Sequence, residues 1–298
     1  MRNVTAQSRH NGKRIDRVIR DFFPNVSSGM LYKALRKKDI KVNGIRIKED
    51  HIVNTGDSID IYIIDELLLG REEEGFSIIY DDENVIIANK SAGLPVHPDR
   101  TQKEGTLIDK LQTKLGPEVA LCHRLDRNTS GLIIAAKNQH SLDILLQKIK
   151  DKEIEKYYQC IVFGQMQKNG DELIAYLDKN EQISRVFISD DKITGSQKII
   201  TRYKVLDTFE DCSLLEVELI TGRTHQIRAH LAHTGHPIIG DGKYGTNAIN
   251  KQYTAKCQLL CAYKLVFSFS TTAHHLNYLN NKSFEIKPPF DIRSIKKG

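Results

Sequence analysis

The chain has 298 residues, of which 40% are hydrophobic and 28% charged, a balance that excludes disordered and collagen-like proteins. It contains no apolar run near the ~18 residues of a membrane span and no signal-peptide core in its polar segment 1–10, so we expect a cytoplasmic protein without membrane contact. The net charge of +6 comes from residues 1–64, where 13 Lys and Arg stand against 7 Asp and Glu, because residues 65–298 hold 31 of each. This asymmetry predicts a small basic module that binds a polyanion, ahead of a larger neutral domain.

The basic module is predicted to contain two short helices and a hairpin. Apolar residues recur at helical spacing between Ile15 and Phe22, which predicts an amphipathic helix over residues 14–23. A second helix is expected to start at Ser27 or Ser28, whose hydroxyl can accept a free amide at the helix N-terminus. Alternating apolar residues on both sides of Asn43-Gly44 indicate a β-hairpin with a type I′ turn.

This pattern resembles the S4 RNA-binding domain over residues 10–63. The resemblance rests on Arg14-Ile15-Asp16, Ser27-Ser28, Lys37 and Val42-Asn43-Gly44. It implies that the module binds RNA, and we assign that contact to Arg14, Lys33, Arg36 and Lys37. The alternative is a basic face that is merely solvated, as most charge runs are. We therefore predict an S4-like RNA-binding domain at residues 1–64, a linker at residues 65–75 and a larger domain at residues 76–298.

From residue 76 onward the sequence predicts strands with intervening helices. Apolar strand segments are expected at residues 78–80, 85–88, 132–136, 157–162, 215–219 and 265–269, and one helix is expected to present Leu142, Leu145, Leu146 and Ile149 on one face. Because helices and strands do not alternate regularly, the pattern favours an α+β class, with a mixed, largely antiparallel sheet and flanking helices.

The densest run of polar residues extends from Leu121 to Leu132 and leads into an apolar strand. Within it, Asp126 lies two residues after Arg124 and directly before Arg127. Nearby positive charge favours an ionised carboxylate, which can act as a nucleophile or a base. For an isolated Asp–Arg pair, a structural ion pair is the simpler interpretation.

The full string H-R-L-D-R-N-T-S-G-L at residues 123–132 resembles the H-R-L-D-x-x-T-S-G-L motif of the RluA family of pseudouridine synthases. Other stretches resemble family motifs in the same order: residues 86–98, 156–164, 221–231 and 235–245. The resemblance covers residues 76 to about 270, and the S4-like module makes the RluC and RluD branch the closer one. Ser91, Cys160 and Cys261 depart from the family pattern, but none of them falls on a position assigned to the chemistry.

The resemblance implies a catalytic domain at residues 76–298 that converts uridine in RNA to pseudouridine without a cofactor. Asp126 matches the family's catalytic aspartate, Tyr158 its active-site tyrosine, and Arg228 the basic residue that would keep the aspartate ionised. Alternation puts Tyr157 on the opposite strand face, so only one of the two tyrosines can enter the site. Whether the aspartate attacks C1′, attacks C6 or removes a sugar proton stays open.

Several basic residues of this domain are expected to contact RNA. Arg124 matches the arginine that enters the RNA helix where the target nucleotide leaves it. Arg127, Arg223 and Lys90 are also assigned to RNA binding. The favoured substrate is large-subunit ribosomal RNA, with transfer RNA as the alternative, and we expect the protein to act as a monomer.

Two other functional classes fit parts of the sequence. An inactive RNA-binding or ribosome-assembly protein would need no carboxylate at an RNA-facing site, so the presence of Asp126 with Tyr158 and Arg228 favours the enzyme. A metal-dependent hydrolase would rest on four histidines within residues 225–236, but no HExxH string is present. Five scattered cysteines without a CxxC pair predict buried thiols rather than a zinc ribbon, so we expect no metal site.

Overall fold

The computed structural model describes residues 2–23, 26, 28–48, 50–63, 75–98, 102–180, 182–253 and 255–295. The chain divides into two compact units, Met1–Glu74 and Gly75–Gly298. This division falls inside the segment predicted as a linker, of which residues 65–74 lie outside the described residues. The predicted helix cap at Ser27 also lies outside them. No helix in the described part of the chain is both long and apolar enough to cross a membrane.

The first unit packs two helices with a small sheet. Its elements are α1 (Ile15–Phe22), α2 (Ser28–Lys37), β1 (Arg2–Thr5), β2 (Lys13–Arg14), β3 (Ile40–Val42), β4 (Ile45–Arg46), β5 (Ile52–Val53), β6 (Ser58–Ile61) and a 3₁₀ helix at Ser8–His10. The sheet has the strand order β1-β6-β3-β4, and β2 pairs with β5. The predicted first helix is confirmed, since Ile15, Val18 and Ile19 are buried in the core of this unit. The hairpin is confirmed as well, because Asn43 and Gly44 have φ of 50° and 78°, as a type I′ turn requires.

The second unit is built on an 11-stranded sheet. Its strands are β7 (Phe76–Asp81), β8 (Val85–Lys90), β9 (Ala120–Leu121), β10 (Ser130–Ala136), β11 (Ile154–Phe163), β12 (Gly170–Asn180), β13 (Arg185–Ser189), β14 (Gln197–Phe209), β15 (Cys212–Leu219), β16 (Leu260–Phe267) and β17 (Ser283–Glu285). They are arranged in the order β13-β12-β14-β15-β11-β16-β10-β8-β7, and β9 also pairs with β10 and β17 with β16. Its helices are α3 (Leu107–Leu115), α4 (Gln139–Lys150), α5 (Gln226–His233) and α6 (Asn247–Gln252), with 3₁₀ helices at His274–Leu279 and Ile292–Ser294. Among the described strands, β10 and β16 pair in parallel and the other pairs are antiparallel, which confirms the expected α+β class.

Strand β10 lies inside the sheet and is buried on both faces. Ile133 and Ala135 pack in the core that includes Leu107 and Leu111 of α3. The side chains on the other face of β10, at residues 132, 134 and 136, pack in a second core with Leu145 of α4 and the 3₁₀ helix at 274–279. Burial on both faces accounts for the continuous apolar run after Ser130, and it fixes the polar loop that precedes this strand to the middle of the sheet.

Two long strands, β12 and β14, were not among the strands predicted from the sequence. In β12 the apolar run at residues 173–177 includes the exposed Ile174, and in β14 the exposed residues include Leu206 beside charged and polar ones, so neither segment shows a clean alternation of apolar and polar residues. Strand β16 also begins at Leu260, five residues before the predicted start at 265. This earlier start brings Leu260 beside the loop that carries Asp126.

Candidate active site

A cavity of about 440 Å³ opens in the second unit, where the loop before β10 meets β11 and the start of α5. The polar loop supplies Arg124 and Asp126 to the wall, and β11 supplies Tyr158. The segment leading into α5 supplies Arg223, and α5 itself supplies Arg228. Five of the residues predicted from the sequence are therefore brought together, although they are up to 104 positions apart in the chain. This volume is in the range of pockets that hold small ligands.

Asp126 and Arg228 form the centre of this site. The guanidinium Nη1 of Arg228 donates a hydrogen bond of 2.7 Å to Oδ2 of Asp126. The arginine is 9% exposed and the aspartate 18%, so the pair sits in the cavity wall with the carboxylate still accessible. A charge-assisted bond of this length holds the carboxylate in one orientation.

A second carboxylate fixes Arg228 from behind. Nε and Nη2 of Arg228 donate to Oδ2 and Oδ1 of Asp241 at 2.7 and 2.9 Å, and Asp241 is fully buried. Oδ1 of Asp241 also accepts the backbone amides of Lys243 and Tyr244, at 2.8 and 3.0 Å. Burial lowers the pKa of Arg228, but hydrogen bonds and charge from Asp241 and Asp126 outweigh it, so the pKa rises and the guanidinium stays charged.

His225 also lies close to the Asp126 carboxylate, near the oxygen that Arg228 contacts. Its Nε2 is 4.0 Å from Oδ2 of Asp126, and its Nδ1 is 2.8 Å from the hydroxyl of Tyr244. The Tyr244 oxygen accepts the amide of Val186, so its hydrogen is free to be donated to Nδ1. Burial lowers the pKa of His225 to about 4, so this ring is neutral at pH 7. Its left-handed backbone, with φ of 55°, turns the chain into α5 and directs Arg228 one helical turn later toward the cavity.

Tyr158 forms part of the cavity wall, whereas Tyr157 does not line it. Tyr158 is 6% exposed, and burial together with the charge of Asp126 raises the pKa of its hydroxyl, which therefore stays protonated at neutral pH. The Tyr157 hydroxyl instead donates to Glu155 at 2.7 Å. The two tyrosines thus occupy different strand faces, as alternation along β11 predicts.

Residues 84–233, which contain Asp126, Tyr158 and Arg228, match the family model described as RNA pseudouridylate synthase. The chain belongs to this family. Ribosomal large subunit pseudouridine synthase C of Vibrio parahaemolyticus is 34% identical over 302 residues, which cover 96% of this chain and 91% of the relative. Ribosomal large subunit pseudouridine synthase D of Buchnera aphidicola is 34% identical over 243 residues, covering 79% and 76%. These relatives confirm the RluC and RluD branch of the RluA family predicted from the motifs, and the protein is an RNA pseudouridine synthase.

The fold of this synthase also matches solved structures. The human protein described as RNA pseudouridylate synthase domain containing 1 superposes with a TM-score of 0.57 at 21% identity, over 76% of this chain and 97% of the human chain. At this identity the likeness concerns the fold alone.

The arginines predicted to contact RNA are placed differently in the synthase. Arg124 and Arg223 are exposed and line the cavity that contains Asp126. Arg127 is half-buried and lies outside the cavity lining, and its backbone carbonyl accepts hydrogen bonds from Lys90 and from the amide of Gly93. In the first unit, Arg14, Lys33, Arg36 and Lys37 are exposed.

The assignment of Lys90 to RNA phosphate was wrong. Lys90 is fully buried, and its ammonium donates to the carbonyls of Ser91, Leu94 and Arg127 at 2.8–2.9 Å. Desolvation by burial lowers its pKa to about 7. The side chain thereby ties the end of β8 to the loop that carries Asp126, and it presents nothing to a bound RNA.

The histidines of residues 225–236 have partners other than a metal. His230 contacts the Thr201 hydroxyl at 3.0 Å, His233 contacts Asp190 at 2.9 Å, and His236 donates to the carbonyl of Phe163 at 3.1 Å. Within the described part of the chain, no group of three or more His, Cys, Asp and Glu is arranged to hold a metal ion. The cysteines there are free thiols, and all except the half-buried Cys257 are buried.

The sequence assigns no role to Asp241 or Lys156, although both belong to the site. Asp241 lies in a stretch that resembles a family motif, and the glycine directly before it, Gly240, has a φ of +80° and is the signal for a tight turn beside this carboxylate. Lys156 also lines the cavity, and it directly precedes the tyrosine pair on β11.

Proposed function

We propose that this synthase isomerises uridine to pseudouridine in large-subunit ribosomal RNA, with Asp126 as the catalytic carboxylate, without a cofactor, and as a monomer. The observation that carries the proposal is the accessible carboxylate of Asp126 in a cavity of nucleoside size, held at 2.7 Å by an arginine that is itself fixed. The RNA class is supported by relatives whose names specify the ribosomal large subunit.

The reaction breaks the N1–C1′ bond of uridine, turns the uracil within the pocket and forms a C5–C1′ bond. Asp126 acts on the sugar or the base as nucleophile or general base. Arg228 holds the carboxylate of Asp126 in the orientation that faces the nucleotide. Because Asp241 uses the other two donor positions of Arg228, the guanidinium does not rotate during the reaction. Preorganisation of this kind lowers the barrier because reactants and catalytic group are already aligned.

A uridine stacked in an RNA helix does not reach a carboxylate in a cavity, so the nucleotide must be extruded at a cost of a few kcal/mol. Arg124 is exposed at the cavity wall next to Asp126, a position suited to fill the space that the uridine leaves. The ring of Tyr158 stacks on the extruded uracil, and its hydroxyl stays protonated and can donate a proton to the base.

The first unit serves as an S4-like RNA-binding domain in this proposal. Its predicted helices and hairpin are present, and its candidate contact residues Lys33, Arg36 and Lys37 are exposed on α2. Arg36 also lines a groove with Lys38 and Lys48. Such a cluster supplies sequence-independent affinity for the phosphate backbone.

The test of the enzyme assignment uses ribosomal RNA labelled with 5-tritiated uridine, since formation of the C5–C1′ bond releases the label. The wild-type protein should release tritium, Asp126→Asn should not, and dialysis against a chelator should leave the rate unchanged. No release by the wild type would favour an inactive RNA-binding protein, and equal release by the variant would exclude Asp126 as the catalytic group.

The substrate class requires a separate measurement. Pseudouridines should be mapped in large-subunit ribosomal RNA and in transfer RNA from a strain that lacks the protein. We expect sites to disappear from the ribosomal RNA. If they disappear only from transfer RNA, the substrate assignment is wrong while the chemistry stands.

A further inference from the structure

Lys156 lies in the cavity wall together with Asp126 and Tyr158. It precedes Tyr158 by two positions on β11, so its side chain leaves the strand on the same face as the tyrosine. The bulge at this point of the β11–β16 pairing inserts its extra residue in β16, so the alternation of β11 continues through Lys156 and Tyr158. The lysine therefore faces the space that the target nucleotide enters.

The ammonium of Lys156 has no hydrogen-bond or ion-pair partner in the part of the chain that the structure describes. Other buried lysines of this unit are satisfied. Lys90 donates to three carbonyls, and Lys148 contacts Glu153 at 2.5 Å and the carbonyl of Thr271 at 2.6 Å. A half-buried cation without a partner is unfavourable, and this burial lowers the pKa of Lys156.

Neither glutamate of the cavity wall neutralises Lys156. The carboxylate of Glu155 accepts the hydroxyl of Tyr157, and the carboxylate of Glu218 accepts Nη1 of Arg202 at 2.5 Å. Lys152, four positions earlier, lines the same cavity and adds a second positive charge. The ammonium of Lys156 is therefore available to an anion that enters with the substrate.

We propose that Lys156 binds a backbone phosphate of the RNA at the target nucleotide. This inference rests on the proposed function, because it assumes that an RNA nucleotide occupies the cavity. A phosphate compensates a desolvated ammonium better than a neutral base carbonyl does, since both partners are then charged. Lys156 thus takes the phosphate contact that the sequence had assigned to Lys90.

The experiment measures RNA binding in an Asp126→Asn background, where no turnover occurs. The probe is an in vitro transcript of large-subunit ribosomal RNA, titrated at several salt concentrations. The salt slope is the slope of the logarithm of the RNA affinity against the logarithm of the salt concentration, and it counts the phosphates that the protein neutralises. Lys156→Met should weaken binding by roughly 10- to 100-fold and reduce the magnitude of this slope by about one, as expected when one phosphate is no longer neutralised. Lys156→Arg should restore most of the affinity, because the charge is retained.

Lys198→Met serves as the matched control, because Lys198 is exposed on β14 outside the cavity. It should leave affinity and salt slope near those of the parent. With Asp126 intact, Lys156→Met should raise KM for tritium release and change kcat little.

The proposal is overturned if Lys156→Met leaves the salt slope unchanged, whether its affinity is normal or reduced. A lowered melting temperature with an unchanged slope would likewise assign Lys156 a structural role and overturn it. Failure of the proposed function has a different signature, which is an absence of tritium release by the wild-type protein.

Discussion

Arg228 and Asp241 are joined by two hydrogen bonds of 2.7 and 2.9 Å, and Asp241 is fully buried. The guanidinium group is planar and rigid, so two hydrogen bonds through Nε and Nη2 determine the direction in which its third nitrogen, Nη1, donates. It points to Asp126. The orientation of the proposed catalytic carboxylate therefore depends on a residue that does not contact the substrate.

The first prediction concerns Asp241→Asn, which keeps the shape of the side chain and removes its charge. Arg228 then loses one of its two charged acceptors, so the orientation of its guanidinium relative to Asp126 is less restricted. Because small misplacements of catalytic groups cost about 100-fold in rate, we expect kcat for tritium release to fall by roughly that factor with little change in KM. Removing one partner of a buried ion pair should also destabilise the protein by about 3–5 kcal/mol.

Asp207→Asn is the matched control, since Asp207 forms an exposed ion pair with Arg293 at 3.2 Å. Exposed pairs contribute little to stability, so both the rate and the melting temperature should stay near wild type. A folded Asp241→Asn protein with full kcat would show that Arg228 needs no second anchor.

The second prediction separates the two adjacent tyrosines. Tyr158→Phe keeps the ring that stacks on uracil and removes the hydroxyl, so kcat should fall by roughly 10²–10⁴-fold, the range of general acid–base contributions, while KM changes little. Tyr157 does not line the cavity, and Tyr157→Phe removes only its hydrogen bond to Glu155, so this variant should stay within a few-fold of wild type. Equal losses in the two variants would contradict the assignment of Tyr158.

The motifs predicted the residues at the centre of the site better than the residues that hold them in position. Asp126, Tyr158 and Arg228 belong to strings long enough to be recognised, and the structure brings them to one cavity. Asp241 lies 13 positions after Arg228, and only the fold shows that its carboxylate turns back onto the guanidinium. Lys90 illustrates the opposite error, because a basic side chain in a polar motif looks the same in sequence whether it contacts RNA or three carbonyls.

The fold was predicted best where side chains are buried. The strand at residues 132–136 is a continuous apolar run because both of its faces are buried in cores, and the helix at residues 15–22 carries apolar residues at helical spacing because one face packs in a core. Strands β12 and β14 carry the apolar residues Ile174 and Leu206 at exposed positions, so apolar residues fall on both strand faces and the period of two is masked. Pairing with neighbouring strands, which a single sequence does not display, is what makes these segments extended.

The third prediction concerns Gly131, which follows the polar loop and pairs with Ala262 in the parallel part of the sheet. Its φ is +116°, and a Cβ placed there would lie 2.3 Å from the backbone oxygen of Ala262. Backbone cannot move aside as a flexible side chain can, so Gly131→Ala should destabilise the protein by at least about 3 kcal/mol. Urea unfolding measures this, with Gly242→Ala as the control, because Gly242 has open space around its Cβ position. Comparable stability of the two variants would contradict the steric argument.

The fourth prediction is a loss of stability in mild acid. Burial lowers the pKa of His123 to about 3 and the pKa of His225 and His230 to about 4, against 6.5 for an exposed histidine. Between pH 4 and 6.5 the unfolded chain therefore binds more protons than the folded chain, so the free energy of unfolding falls as the pH falls. Each histidine should contribute about 1.5 kcal/mol of this loss between pH 6.5 and 5.

Urea unfolding at several pH values checks this expectation, and His230→Asn tests a single contribution. Asparagine can keep a hydrogen bond to Thr201 but takes up no proton, so the pH dependence of this variant should be shallower by one histidine. A variant with the pH dependence of the wild type would show that His230 is not one of the groups that titrate on unfolding.

The fifth prediction concerns the basic surface of α2. Lys33, Arg36 and Lys37 are exposed in a segment that carries a net positive charge, and each phosphate that they neutralise releases counterions when RNA binds. Replacing all three with glutamine should weaken binding to ribosomal RNA and reduce the salt slope by about one for each phosphate that is no longer neutralised. The rate at saturating RNA should not change, because none of these residues lines the cavity around Asp126.

The control replaces three exposed lysines of the second unit, which removes the same amount of charge: Lys198, Lys204 and Lys287. If α2 contacts RNA directly, the α2 variant should show a larger decrease in affinity and in salt dependence than this control. Equal effects would mean that total charge, rather than the α2 surface, governs capture of the RNA. Since electrostatic steering acts through the field of the whole protein, only a difference between variants of equal net charge assigns the contact to α2.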